Sequence, residues 1–324
     1  MEYRMQEGTF PSANQSDAIA YRVLMPENNP CGIVLLLHGM GSHSGRYLPF
    51  AEFLCENGYV VYAYDHAGHG KSVREGGLFG SFAEQDGDIV LVKDLQSMVA
   101  LIRKRFRHLP LFAYGHSLGS FVLRAYIASH KDTLDGVMLS GTCERMQVSY
   151  FKKKKLFRLV KKAGRAPSEA VEELMVGKFQ KEFPEPGSWV TTNPSYLPKR
   201  ESDPLYGHPM CADAYLDMFR LMSFISEDEW IREIPKGMPV LFLSGERDPL
   251  GGKGVGIQSL VEALDEAGVS DVTLRLYPKE KHETIGSLSD ALVKEDILAW
   301  LKDKCEAAVA LQRTHLFGGS FGIG

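Results

Sequence analysis

The stretch Leu111-Phe112-Ala113-Tyr114-Gly115-His116-Ser117-Leu118-Gly119 constrains this chain most, because a short apolar run passes without a linker into the helical pattern Phe121 to Tyr126. A strand that turns at once into a helix leaves no room for side chains beside the corner, and a glycine stands on each side of the serine. Such a corner holds Ser117 at positive φ and lifts its hydroxyl out for attack. The pentapeptide occurs by chance in many chains, so its weight comes from the strand before it, the helix after it and the partners found elsewhere.

The surrounding pattern agrees. Ile33 to Leu37, Val60 to Tyr64, Leu111 to Tyr114, Gly136 to Ser140 and Val240 to Leu243 are short apolar runs bounded by Gly, Pro or His, which read as buried parallel strands. Helical patterns lie at Arg46 to Asn57, Asp88 to Phe106, Leu118 to His130, Gly256 to Ala267 and Asp290 to Lys304, an alternation that predicts an α/β sheet with helices on both faces. Ala18 to Met25 reads as an antiparallel strand leading in. From Cys143 to about Pro235 the alternation stops and the chain turns basic, aromatic and Pro-rich, which predicts an inserted unit with long helices at Pro167 to Phe183 and Ala212 to Ile225. Residues 1–142 and 236–305 then form the core, 143–235 the insertion, and 306–324 a Gly-rich, frayed tail.

Composition excludes several classes. The 324 residues are 44% hydrophobic, enough for a sizeable core, and 37 Lys plus Arg against 41 Asp plus Glu provide no basic field for a nucleic acid. Cys31, Cys55, Cys143, Cys211 and Cys305 are odd in number and lack paired spacing, so they read as buried thiols in a reducing compartment. The acidic N-terminus has no apolar signal segment and no apolar run could span a bilayer, so a cytoplasmic protein is expected.

A serine hydroxyl needs a base, and the base an acid to orient it. Of His130, His208, His282 and His315 downstream, only His282 sits in a loop between an apolar strand, Val272 to Tyr277, and a final helix, at the sheet edge where Ser117 lies. Asp248 follows the strand Val240 to Leu243 on a turn at the same edge and is the expected acid, with Glu246 as its competitor. His38-Gly39-Met40-Gly41 leaves the strand Ile33 to Leu37 and supplies the oxyanion site, whose donors are expected to be the amides of Met40 and Leu118. His38, Gly39, His116 and Trp189 are the candidate substrate contacts.

Together, Gly-His-Ser-Leu-Gly around Ser117, His38 to Tyr47, the loop Asp65-His66-Ala67-Gly68-His69-Gly70-Lys71-Ser72, and His282 followed by Glu283 resemble the monoacylglycerol lipase and lysophospholipase branch of the α/β-hydrolases, over residues 15 to 305. The resemblance implies an eight-stranded, mostly parallel sheet, a helical cap over the site, a Ser-Asp-His triad and no cofactor. Some relatives in this branch are peptidases or general esterases, so the fold does not fix the substrate.

Other features are decoys. Gly70-Lys71-Ser72 and Gly251 to Gly256 lack the spacing of phosphate-binding loops, and His38, His43, His66 and His69 lack an accompanying ligand set for a metal. In Phe151 to Lys162, basic residues alternate with large apolar ones; the stretch suits either a helix lying on an anionic membrane surface or a cap helix with solvated lysines. Trp189, Tyr196, Tyr206, Tyr215 and Phe219 wall an acyl pocket or fill the cap core. The expected protein is a serine esterase acting on a small ester with an apolar acyl chain. The alternatives are a serine peptidase of proline-iminopeptidase type, with Glu169, Glu172 or Glu173 holding a free amino group, and a non-catalytic binding protein on the same scaffold.

Overall fold

The computed structural model describes residues 3–317 except 148, 184, 186, 196–197 and 200–201, with side chains described as far as residue 308. Its strands are β1 (Tyr3–Pro11), β2 (Ala18–Pro26), β3 (Gly32–Leu37), β4 (Tyr59–Tyr64), β5 (Leu111–His116), β6 (Gly136–Ser140), β7 (Val240–Gly245) and β8 (Val272–Tyr277). They form one sheet in the order β1-β2-β4-β3-β5-β6-β7-β8, antiparallel where β2 meets β1 and β4 and parallel elsewhere. The sheet has two apolar faces because its central strands alternate between them. Val34, Leu36, Phe112 and Tyr114 pack with α1 (Leu48–Glu56), while Ile33, Leu35, Leu37 and Ala113 pack with α2 (Gly87–Arg105) and α3 (Leu118–Ser129). That is why these strands read as unbroken apolar runs.

The chain runs from β3 to β4 on one side, then crosses back to place β5 on the other side of β3. A crevice opens at the carboxyl ends of strands where the order reverses in this way. The register pairs Leu37 with Gly115, so the loop after β3 and the corner after β5 leave the sheet side by side.

Between β6 and β7 lie α4 (Tyr150–Ala163), α5 (Glu169–Met175), α6 (Gly177–Gln180), α7 (Ala212–Phe224) and α8 (Asp228–Glu233). After β7 come α9 (Val255–Glu266) and α10 (Asp290–Phe317). The apolar faces of α4 to α7, through Leu156, Val171, Phe179 and Met218, join the same buried cluster as α3.

Three expectations fail here. Pro167 to Phe183 is not one helix: Pro167 makes an isolated bridge to Cys211, helix starts only at Glu169, and it breaks at Val176 before Gly177, a poor helix former. The last helix runs on to Phe317 rather than ending at Lys304; residues 318–324 lie outside the described residues. Cys31 is exposed rather than buried. The edge strand β1 escaped notice because only Phe10 of its residues is buried, which leaves no apolar run to read.

Candidate active site

Ser117 sits at φ 50° and ψ −117° between β5 and α3. The glycines beside it answer to space. A Cβ on Gly119 would lie 2.5 Å from the Leu37 carbonyl oxygen, and one on Gly115 2.6 Å from that of Gly119. Strand and helix can meet this closely only without those side chains, which forces the turn onto the serine. The amide of Ser117 donates to the Ser140 carbonyl at 3.0 Å, pinning the corner to β6.

His282 and Asp248 arrive on the loops after β8 and β7. Asp248 is fully buried; its Oδ2 accepts from His282 Nδ1 at 3.1 Å and its Oδ1 from the Leu250 amide at 2.9 Å. Nδ1–H is thereby held on the acid, which leaves Nε2 as the unprotonated nitrogen. Glu246, the competing acid, is exposed. Ser117 and His282 line one cavity of about 1210 Å³, although among the described residues the Ser117 hydroxyl has no hydrogen bond to the His282 ring. Catalytic hydrogen bonds of this kind often tighten only when substrate is present.

The loop after β3 is stiffened by a cluster of histidines. His38 Nδ1 donates to the Gly39 carbonyl at 2.8 Å while its Nε2 accepts from the His66 amide at 3.0 Å. His69 Nε2 accepts from the Gly41 amide at 3.1 Å, and His66 Nε2 donates to the His38 carbonyl at 3.2 Å. Burial keeps these rings neutral: His38 is pushed down to about 3, His69 to about 4, and His66 well below the usual range. Burial would raise Asp65, but His38 and the amides of Ser44 and Lys71 outweigh it and hold the carboxyl low. Around the corner, the Ser117 and Gly41 amides are thus engaged, whereas among the described residues no protein acceptor meets the amides of Met40 or Leu118.

Of the candidate substrate contacts, Gly39, His116 and Trp189 line the cavity. His38 does not, because one ring nitrogen is spent on the Gly39 carbonyl of its own loop and the other on the His66 amide of the loop after β4. The Trp189 ring lies 5.0 Å from that of His282, and His116 lies 4.8 Å from it on another side. Burial first, then His282 and Arg46, keep the His116 ring neutral. Tyr206 and Tyr215 line the cavity, Phe219 is buried within the inserted helices, and Tyr196 lies outside the described residues. Of the other histidines, His208 lines the same cavity but stacks on Phe79 and bonds the Pro204 carbonyl through Nε2, His130 stacks on Tyr126 at the end of α3, and the side chain of His315 lies outside the described residues.

Sequence reasoning passed over an ion pair beside the nucleophile. Arg46 Nη2 donates to both carboxylate oxygens of Glu283, next to His282, at 3.1 and 3.3 Å, while its Nη1 donates to Ser42 at 3.1 Å and the guanidinium stacks 4.0 Å over Tyr206. The Glu283 amide donates to the Val190 carbonyl at 2.6 Å, Thr192 donates to Glu280 at 2.5 Å, and Lys281 Nζ reaches the Ser188 carbonyl at 2.5 Å. The His282 loop is thus tied to the segment that carries Trp189. The only sequence signal was charge, at Arg46, Glu280, Lys281 and Glu283, with nothing to say what each faced.

The family profile described as "Serine aminopeptidase, S33" matches residues 28–288. The chain is 26% identical over 284 residues to the monoacylglycerol lipase of Mycolicibacterium smegmatis, covering 87% of this chain and 92% of that one. It is 26% identical over 293 residues to the monoglyceride lipase of Homo sapiens, covering 89% and 88%. Among solved structures it superimposes on a carboxyl esterase from Bacillus coagulans in complex with glycerol with a TM-score of 0.86, at 27% identity over 93% of this chain and 99% of that one. Fold, motifs and relatives agree that the chain belongs to the serine aminopeptidase family of α/β-hydrolases, in the branch that contains the monoacylglycerol lipases.

Proposed function

We propose that this protein is a serine esterase that cleaves the ester between an apolar acyl chain and a small polar alcohol such as glycerol, through an acyl-enzyme on Ser117. The observation that carries this reading is the convergence of an elbow serine and an Asp248-supported His282 on one cavity, beside two amides without a protein acceptor. Ser117 Oγ attacks the carbonyl carbon as His282 Nε2 takes its proton, and Asp248 stabilises the imidazolium. The Met40 and Leu118 amides receive the oxyanion; losing one such donor costs roughly 3 kcal/mol. His282 returns the proton to the departing alcohol, and water releases the acyl group by the same steps in reverse. None of these steps calls on a metal or cofactor.

Residues 143–235 act in this reading as a cap over the core formed by 1–142 and 236–305. Trp189, Val176 and Tyr215 give the cavity an apolar wall from the cap side, suited to an acyl chain. The relatives named as monoacylglycerol lipases and the esterase that holds glycerol support the same substrate class.

Two further points rest on particular observations. Glu169, Glu172 and Glu173 line the cavity, as a site for a substrate α-amino group would require, and this keeps the peptidase reading in play. On α4, Tyr150, Phe151 and Phe157 are exposed among lysines, which favours a cap that rests on an anionic lipid surface. Among the described residues no helix is long and apolar enough to cross a membrane.

The test is a side-by-side assay of monoacylglycerols of increasing chain length and an amino-acid arylamide. Turnover that rises with acyl length, with little arylamide cleavage, is expected. Preference for the arylamide would install the peptidase reading, and no turnover of either together with no fluorophosphonate labelling would leave a binding protein.

A further inference from the structure

Far from the cavity, at the amino-terminal ends of the parallel strands, Cys31 precedes β3 and Cys305 lies on α10. They are 274 residues apart in sequence, yet Cys305 Sγ donates to the Cys31 carbonyl at 2.8 Å. The Cys31 thiol is exposed and donates to the Gly58 carbonyl at 3.3 Å, whereas Cys305 is buried. The sulfurs lie by the starts of neighbouring strands: a Cβ on Gly32, the first residue of β3, would lie 3.2 Å from Cys305 Sγ, and one on Gly58, just before β4, 3.6 Å from Cys31 Sγ, with Gly32 paired to Tyr59.

The neighbours also make the two thiols unequal. Cys305 acts most strongly on the Cys31 thiol and outweighs its burial, lowering Cys31 to about 7. Cys305 is pushed up by Cys31 and by burial, so it keeps its proton. An accessible, thiolate-prone sulfur beside a second thiol is the arrangement of an oxidisable pair. Cys55, Cys143 and Cys211 are buried, and burial raises each of them.

We propose that Cys31 and Cys305 form a peroxide-oxidisable pair that closes a disulfide between the loop before β3 and the C-terminal helix. The Cys31 thiolate attacks one oxygen of a hydroperoxide, the O–O bond breaks, and the departing hydroxide (or alkoxide) takes a proton, leaving Cys31 as a sulfenic acid. The Cys305 sulfur then attacks the Cys31 sulfur; the S–S bond forms, the S–O bond breaks, and hydroxide leaves as water with the Cys305 proton. Two thiols are oxidised and one hydroperoxide is reduced. The bond joins the two ends of nearly the whole fold, so it restricts the unfolded chain strongly while lying remote from Ser117.

The test uses the full chain and hydrogen peroxide. Two of the five thiols should be lost, a non-reducing peptide map should show Cys31 linked to Cys305, and Tm should rise and fall back on adding dithiothreitol, with esterase turnover unchanged. Cys31→Ser should abolish the link. Cys305→Ser, or Cys305→Ala where serine is poorly tolerated in that buried place, should leave Cys31 as a sulfenic acid that dimedone captures. A wild-type chain in which dimedone captures Cys31 and no linked peptide forms would overturn the proposal. Oxidation confined to Cys55, Cys143 and Cys211 would overturn it equally.

Discussion

The Ser117 corner and the segment 143–235 line the same cavity by different means. At the corner, backbone packing decides everything: glycines let Leu37, Gly115 and Gly119 touch, and Asp248 is buried with both carboxylate oxygens accepting hydrogen bonds. In the inserted segment side chains decide, through Trp189 on His282 and through Lys281 and Glu280 reaching across from the core. The corner is therefore suited to fixed chemistry, and the segment to varying what enters.

The contrast predicts a steep ladder of effects. Asp248→Asn should cost about 10⁴ in turnover, since it removes the charge behind the imidazolium and disturbs its tautomer. A comparable loss from Glu246→Gln, with Asp248→Asn nearly silent, would move the acid to the neighbouring turn. Trp189→Ala, on the cap side, should lower the specificity constant for long-chain esters by about 10-fold and spare short soluble esters. Equal losses on both would mean that Trp189 positions His282 rather than the acyl chain.

How legible each region was in the sequence follows from the same difference. Glycine spacing, apolar runs and the order serine, acid, histidine are local rules, and they located the sheet, Ser117, Asp248 and His282 as neighbours. The Arg46 to Glu283 pair links positions far apart, and charge alone names no partner. His38 looked available to substrate because nothing in the sequence shows that His66 and Gly39 consume its ring. The start at Glu169 was invisible because the bridge from Pro167 to Cys211 is long-range, whereas the break at Val176 had a local signal in Gly177 that was passed over.

Proton binding should act on the two regions with opposite signs. His38 and His69 bind protons in the fold only near pH 3 and 4, but near 6.5 when unfolded. The unfolded chain therefore binds more protons between these values, and stability falls as pH drops from about 6.5 towards 4. On α7, Asp217 is raised to about 7 by burial, then by Asp88, with Arg220 opposing and Asp213 and Asp86 adding. Its folded value lies above its unfolded value of about 3.9, so its contribution is complete below that pH and is lost as pH rises through 7. Between about pH 4 and 6.5 the two contributions therefore oppose each other, so Asp217→Asn should make the urea midpoint rise more steeply with pH across that window, and a profile left unchanged by the substitution would refute the assignment.

A last effect, confined to lipid surfaces, concerns α4. Neutralising Lys152 to Lys155 should leave soluble-ester turnover intact and reduce turnover on anionic vesicles, by about fivefold for each charge that rests near the surface. Added salt should erase the difference as the screening length falls below about 8 Å. Vesicle turnover indifferent to both charge and salt would return α4 to an ordinary cap helix.

The central claim is that the corner residue, Ser117, is the nucleophile. A fluorophosphonate probe followed by peptide mass spectrometry tests it directly. One adduct per chain, on Ser117, lost in Ser117→Ala while that variant keeps the wild-type Tm, is the predicted result. An adduct on any other serine, or turnover retained by Ser117→Ala, would contradict it.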